Sequence, residues 1–124
     1  MNKDTSILFM RLSFGLTMVF SHGLPKLLNY GQMKNSFPDP LGIGNSASLI
    51  ITIFAELVCP VFIVLGFKTR LSAIPITITM LVAAFVIHAD DPFTKIEFPL
   101  LYAYSFACIL ISGPGKYSFE KKLN

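Results

Sequence analysis

Charge is scarce in this chain. Asp, Glu, Lys and Arg make up only 14% of its 124 residues, while 53% are hydrophobic. A soluble domain carries about 25% charged residues. A chain this short exposes much of its surface, and water demands polar groups there, whereas lipid makes no such demand. Cysteine is also rare. Cys59 and Cys108 both lie inside apolar runs, with no CxxC pair, metal-ligand spacing or disulfide framework around them. Motifs for flavin, haem or iron–sulfur binding are missing, as are internal repeats and low-complexity segments. The net charge of +3 would hint at nucleic acid in a soluble protein. Here the basic residues form no stripe and lie mostly between and beyond apolar runs, which argues for no nucleic acid partner and makes them topology signals.

What the chain does have is four apolar segments. They predict an all-α, integral membrane four-helix bundle in a single domain, with transmembrane helices near 6–28, 47–67, 70–88 and 97–112. Arg11 inside the first segment, and the lack of a small-residue cleavage site after Phe20, favour a retained helix over a signal peptide. The charge-free parts of the last two segments, 71–87 and 98–112, are short for a bilayer core that needs roughly 20 helical residues, so flanking residues must contribute. Ser46 is a candidate N-cap for the second helix, and Lys68–Thr69–Arg70 is a very short connection between antiparallel neighbours. Asp90–Asp91–Pro92 is expected to end the third helix, and Pro99 suits the first turn of the fourth. Six basic residues (Lys3, Lys68, Arg70, Lys116, Lys121, Lys122) fall on the side of the termini and three (Lys26, Lys34, Lys95) on the other. This places the N- and C-termini in the cytoplasm.

The polar residues inside the apolar runs are the functional candidates, because a charge in hydrocarbon must be paired, wet or neutralised. Glu56 lies about 13 Å along the second helix from its outer end. Pro60, four residues later, has no N–H to give to the Glu56 carbonyl. Glu56 is either a proton-handling or ligand-binding group, or one half of a buried pair that sets register. Arg11, Gly15, Met18, His22 and Lys26 share one face of the first helix and should look into the bundle. Arg11 either snorkels to lipid phosphates or pairs with Glu56. An unperturbed imidazole exchanges protons near neutral pH, which makes His22 the second candidate for catalytic proton transfer beside Glu56. A ligand site near the outer leaflet would draw on His22, Lys26, Glu56 and His88, with Arg11 as a further ligand-binding candidate, and no metal is assigned. Cys59 and Cys108 fall at similar depth, as packing groups or a redox pair. Leu101, Ser105, Cys108 and Ser112 form a stripe suited to close helix contact, and Phe98, Tyr102 and Tyr104 suit anchoring or packing.

The motifs Arg11-x-x-x-Gly15, Gly23-x-x-Lys26, Ala55-Glu56-Leu57, Leu65-Gly66-Phe67-x-Thr69-Arg70 and Gly113-Pro114-Gly115, in this order, resemble the DoxX family of small bacterial membrane proteins. The resemblance implies a four-helix membrane bundle in the bacterial cytoplasmic (inner) membrane. It maps Arg11, Lys26, Glu56 and Arg70 onto characteristic polar positions. Cys59–Pro60 stands where many members carry glycines. The family name comes from a subunit linked to thiosulfate:quinone oxidoreduction. The implied activity is therefore that of an oxidoreductase subunit using a quinone rather than a covalently bound cofactor, alongside a membrane or soluble oxidoreductase partner. A small proton-coupled carrier or lipid-phase ligand-binding protein, working as a homodimer, and a structural partner in a larger complex are the alternatives.

Overall fold

The computed structural model describes residues 2–123 and contains four long apolar helices: α1 (Lys3–Leu28), α2 (Asn45–Leu65), α3 (Thr69–Ile87) and α4 (Phe93–Ser112). At ~1.5 Å per residue these span about 28–39 Å, enough to cross a bilayer core of about 30 Å. Among the described residues there is no strand. The chain is thus an all-α membrane bundle with lipid as its surroundings. A one-turn helix (Tyr30–Met33) follows α1, and a tail helix (Phe119–Leu123) follows α4.

The last two spans are longer than their charge-free cores. α3 takes in Thr69 and Arg70, and α4 reaches back to Phe93, taking in Lys95 and Glu97. The charges therefore sit in the terminal turns, where long side chains reach water. Two expectations change, at Pro99 and at Ser46. Pro99 is the seventh residue of α4 rather than a first-turn residue, and Pro92 stands at the N-terminal cap, its carbonyl accepting the Lys95 N–H at 2.9 Å. α3 ends at Ile87, within one residue of the expected limit and just before Asp90–Asp91–Pro92. α2 starts at Asn45 after Gly44, so Ser46 is already inside the helix, with its hydroxyl against the Tyr30 hydroxyl.

The core is a band of Met18, Ile63, Ala73, Ile76, Met80, Ala103, Phe106 and Ile109, drawn from all four helices. Alanines at 73, 84 and 103, all essentially buried, let the helix backbones of α3 and α4 approach closely. Large apolar side chains such as Phe9, Phe20 and Ile111 point outward, the arrangement that lipid rewards. Four hydroxyls in the spans satisfy themselves on the preceding turn: Ser13 donates to Phe9 O (2.6 Å), Thr52 to Ser48 O (2.8 Å), Thr77 to Ala73 O (2.7 Å) and Ser105 to Leu101 O (2.8 Å). The stripe of Leu101, Ser105, Cys108 and Ser112 does not make a helix contact. Its neighbours Ala103, Phe106 and Ile109 take the buried face, leaving Leu101 and Cys108 exposed. Cys59 is buried, Cys108 is exposed, and no disulfide joins them.

Arg11 ties the termini-bearing end together. It is 1% exposed. Its Nε donates to Ile63 O (2.9 Å), Nη2 to Val64 O (2.9 Å), and Nη1 to Pro114 O (3.0 Å) and Tyr117 O (2.7 Å). Its partners are carbonyls, so it neither snorkels to phosphates nor pairs with Glu56. The reason lies at the end of α2. Gly66 adopts a left-handed conformation (φ 74°), its N–H bonds Ile63 O at 3.1 Å, and the Phe67 N–H bonds Phe62 O at 2.9 Å. This Schellman-type stop, with Phe62 packed edge-on to Phe67, leaves carbonyls of the last turn in need of donors. Arg11 supplies them where the helix dipole is negative. A Cβ on Gly66 would meet Arg11 Nη2 at 2.6 Å and Ser118 Cβ at 2.5 Å, so glycine serves the close approach as well as the turn.

Arg11→Lys keeps the charge but not the fork of donors. It should lower stability by about 3 kcal/mol or more, since several carbonyls lose their partners. Tryptic cleavage after Lys116 should accelerate together with a lower melting point in detergent. Wild-type values for both would refute the central role of this residue.

Candidate functional site

The opposite end of the bundle encloses a cavity of about 450 Å³, walled by all four helices and covered by the loop after α1. Most of its wall is apolar, with Ile51, Ile78, Met80, Val82 and Ile87 among the contributors. His22, Lys26, Glu56 and His88 all line it, so one cavity holds four of the five candidates named for a site. Arg11 lies in the hub at the other end.

Lys26 and Glu56 form its polar centre. Lys26 Nζ lies 2.7 Å from Glu56 Oε1, with the Glu56 side chain 4% exposed and that of Lys26 18%. A carboxylate and an ammonium at this depth are tolerable because each supplies the other's counter-charge. His22 sits one turn before Lys26 and stands edge-on to the Tyr102 ring, 5.3 Å between centroids. Tyr102 is itself stacked on Phe106 of the core. It is thus a packing and wall residue, whereas Tyr104 faces outward. His88, just past α3, is half-exposed and bonds Asp91 through Nδ1 at 2.8 Å. Among the described residues no three His, Cys, Asp or Glu side chains are grouped to hold a metal ion.

The backbone around the cavity is wider than an α-helix. π-type turns occupy Val19–Gly23 in α1, Phe54–Val58 in α2 and Ala83–Ile87 in α3. In them Leu24, Cys59 and His88 donate to carbonyls five residues back, at Val19, Phe54 and Ala83. Two of the three have a cause in sequence. Pro25 and Pro60 each follow a wide turn by two residues, and a proline neither donates to nor fits against the carbonyl four residues back. Widening the turn moves that carbonyl aside. The third closes α3, and no proline accounts for it. The first two wide turns face each other across a backbone contact. A Cβ on Gly23 would fall on the Glu56 carbonyl, so only glycine permits the approach. Gly15 repeats the contact two turns away, where a Cβ would meet Val64 Cγ2 at 2.6 Å and Pro60 O at 3.3 Å. Gly15 and Gly23 hold α1 against α2 and bring Lys26 within reach of Glu56.

The covering loop is apolar on its inner side, through Phe37, Pro38, Pro40, Leu41 and Ile43. Asp39 clasps it to α2. Its Oδ1 accepts from Ser48 Oγ (2.8 Å) and the Ile43 N–H (3.0 Å), and its Oδ2 from the Gly44 N–H (2.8 Å). These donors, Ser48 first, hold the Asp39 carboxyl below its ordinary range. The clasp is therefore complete above the usual carboxylate pKa and is lost as pH falls through the lowered folded value. The loop's part in the wall was not foreseen from sequence, although its alternation of proline with Phe37, Leu41 and Ile43 is an unusual composition for a solvated turn.

Two tests follow from this geometry. Lys26→Met leaves Glu56 without its counter-charge and should cost about 3–5 kcal/mol, while Lys26→Met combined with Glu56→Gln should recover much of the loss. Melting points of the single and double variants in detergent measure it, and additive losses would mean the two residues do not act as a pair. Gly23→Ala should destabilise strongly. Gly31→Ala, whose Cβ would meet nothing within 4 Å, should be neutral or stabilising by about 0.5–1 kcal/mol. Equal effects of the two would remove the argument for backbone contact at Glu56.

Comparison with known proteins agrees with the architecture. An uncharacterized protein of Haemophilus influenzae is 28% identical over 96 residues, which cover 73% of this chain and 64% of that protein. The chain therefore spans slightly less than two thirds of that relative's length. No solved structure matches. The family model described as DoxX matches residues 6–89, which takes in Arg11, His22, Lys26, Glu56, Arg70 and His88. By that match the chain belongs to the DoxX family.

Proposed function

We propose that this DoxX-family protein binds a quinone head group in the cavity at Lys26–Glu56 and serves as a subunit of a quinone-linked membrane oxidoreductase system. The supporting observation is an apolar chamber of about 450 Å³ whose wall carries a buried ion pair flanked by His22 and Tyr102. Chambers of a few hundred Å³, mainly apolar with few polar groups, suit small apolar ligands that need orientation rather than charge neutralisation. A quinone is such a ligand. Ile78, Val82 and Phe98 would hold its ring, and Lys26, whose ammonium has three donors and gives one to Glu56, would donate to a quinone carbonyl. Reduction to the quinol takes up a pair of electrons and a pair of protons. The electrons come from a membrane or soluble oxidoreductase partner. Glu56 and His22 would hold and relay the protons that such a reduction consumes. The reading places the protein in the bacterial cytoplasmic membrane with both termini inside, supported by the excess of basic residues at the termini-bearing end.

The wide turns in three of the four walls favour a second reading, a small proton-coupled carrier acting as a homodimer. Broken helices at a midplane charge are shared with transporters. In that case protonation of Glu56 would release Lys26 and a ligand together.

Purified protein in lipid nanodiscs, titrated with decylubiquinone and read by tyrosine fluorescence quenching, tests the first reading. Saturable binding is expected. It should weaken roughly tenfold or more in Ala83→Phe, which fills the chamber and leaves the ion pair intact. Binding unaffected by Ala83→Phe, or no saturable binding, would sink it. Uptake into vesicles driven by a proton gradient, lost in Glu56→Gln, would favour the carrier instead.

A further inference from the structure

The end of the molecule away from the quinone chamber carries a second concavity. It is an open cleft of about 590 Å³ between the start of α1, the facing ends of α3 and α4, and the tail. Its lining includes five cations, Lys3, Arg70, Lys116, Lys121 and Lys122, and one acid, Asp4. Half of the chain's ten basic residues thus converge on one cleft. We infer that this cleft binds a phosphate-bearing anion, supplied either as the head group of an anionic phospholipid or as a free phosphate compound.

Three features separate the cleft from a merely basic flank. First, it is built. Nη1 of Arg11 binds the carbonyls of Pro114 and Tyr117, on either side of Lys116. The Lys116 N–H donates to Asp4 Oδ1 at 2.9 Å, joining the tail to the start of α1. The tail helix is docked at Glu120, whose N–H bonds Gly66 O at 3.0 Å and whose carboxylate accepts the Thr69 N–H at 3.0 Å. Lys121 and Lys122 follow directly and are thereby held beside Arg70 and Lys3. Basic residues that only set membrane orientation need no such docking. Second, the charges are only partly compensated. Like charges gathered on one wall repel, and the lining sets a single carboxylate, Asp4, against five cations. An anion in the cleft relieves that repulsion. Third, the cleft lies at the right level. Arg70 is in the first turn of α3 and Ser112 ends α4, so the cleft opens where the hydrocarbon stops and lipid phosphates begin. Arg70 gives one Nη2 donor to Ile111 O at 3.3 Å, and its planar guanidinium is suited to holding a phosphate.

The test uses the full-length protein in an uncharged detergent, with its melting point followed by circular dichroism. Added phosphatidylglycerol, phosphatidylcholine and inorganic phosphate are the three arms. Phosphatidylglycerol is expected to raise the melting point saturably and phosphatidylcholine is not. The half-saturating concentration should rise roughly tenfold or more in Lys121→Gln/Lys122→Gln and, independently, in Lys3→Gln/Lys116→Gln. Lys34→Gln, in the covering loop at the other end, should behave as wild type. A shift with phosphatidylglycerol alone assigns the site to a lipid head group. A shift with inorganic phosphate, lost in the same variants, assigns it to a soluble phosphate compound. The inference falls if no anion raises the melting point, if phosphatidylcholine does so equally, or if both double variants respond like wild type.

Discussion

A bilayer core offers no water to complete a hydrogen bond, and that constraint organises this molecule. Every polar group placed inside must find its partner in the protein. The hydroxyls of Ser13, Thr52, Thr77 and Ser105 do so locally, on carbonyls of the preceding turn. The ionisable groups cannot, and so they determine long-range structure. Arg11 reaches across to the end of α2 and to the tail, and Lys26 reaches across to Glu56. These two links, both starting from α1 on one helical face, fix how the first helix sits against the rest.

The same constraint explains the shape of the chamber. Pro25 and Pro60 each free a carbonyl within a span, which hydrocarbon penalises. The wide turns at Val19–Gly23 and Phe54–Val58 absorb the distortion, and Gly23 lets the Glu56 carbonyl pack against the α1 backbone. Widened helices leave room between them, and the chamber occupies that room. Its ion pair, ring edge and apolar walls are therefore consequences of how α1 and α2 accommodate their prolines, with the loop clasped by Asp39 closing the top.

The two ends of the bundle divide into different chemistries. One buries a charge pair in an apolar chamber; the other gathers cations around a folded tail. Arg11 belongs to the second end although it lies in the same helical stripe as Lys26. The guanidinium joins the α2 terminus to the carbonyls that flank Lys116, so the packing of two spans and the shape of the basic cleft depend on one side chain.

Four apolar runs between breakers were enough for the number and approximate limits of the spans, because insertion into lipid depends on summed hydrophobicity over about 20 residues, a local property. The inward face of α1 was legible too, since its polar and small residues recur at helical spacing, and the grouping of His22, Lys26, Glu56 and His88 at one end followed from counting along helices. Pairings were not legible. Whether Arg11 met phosphates, Glu56 or the end of α2 depended on the Schellman-type stop at Gly66 and the return of the tail, which are separated from it by more than 50 residues of sequence. The stripe through Cys108 was assigned to the wrong surface because Ala103, Phe106 and Ile109 take the contact on an adjacent face, and periodicity does not say which of two adjacent faces a neighbour will cover. Pro99 likewise fitted a helix start on local grounds, yet α4 begins at Phe93, where the span gains the length the bilayer requires. Local chemistry thus decided what each segment is, and only the packing of spans against one another decided which partners its polar groups found, because a hydrogen bond in lipid is set by proximity in space.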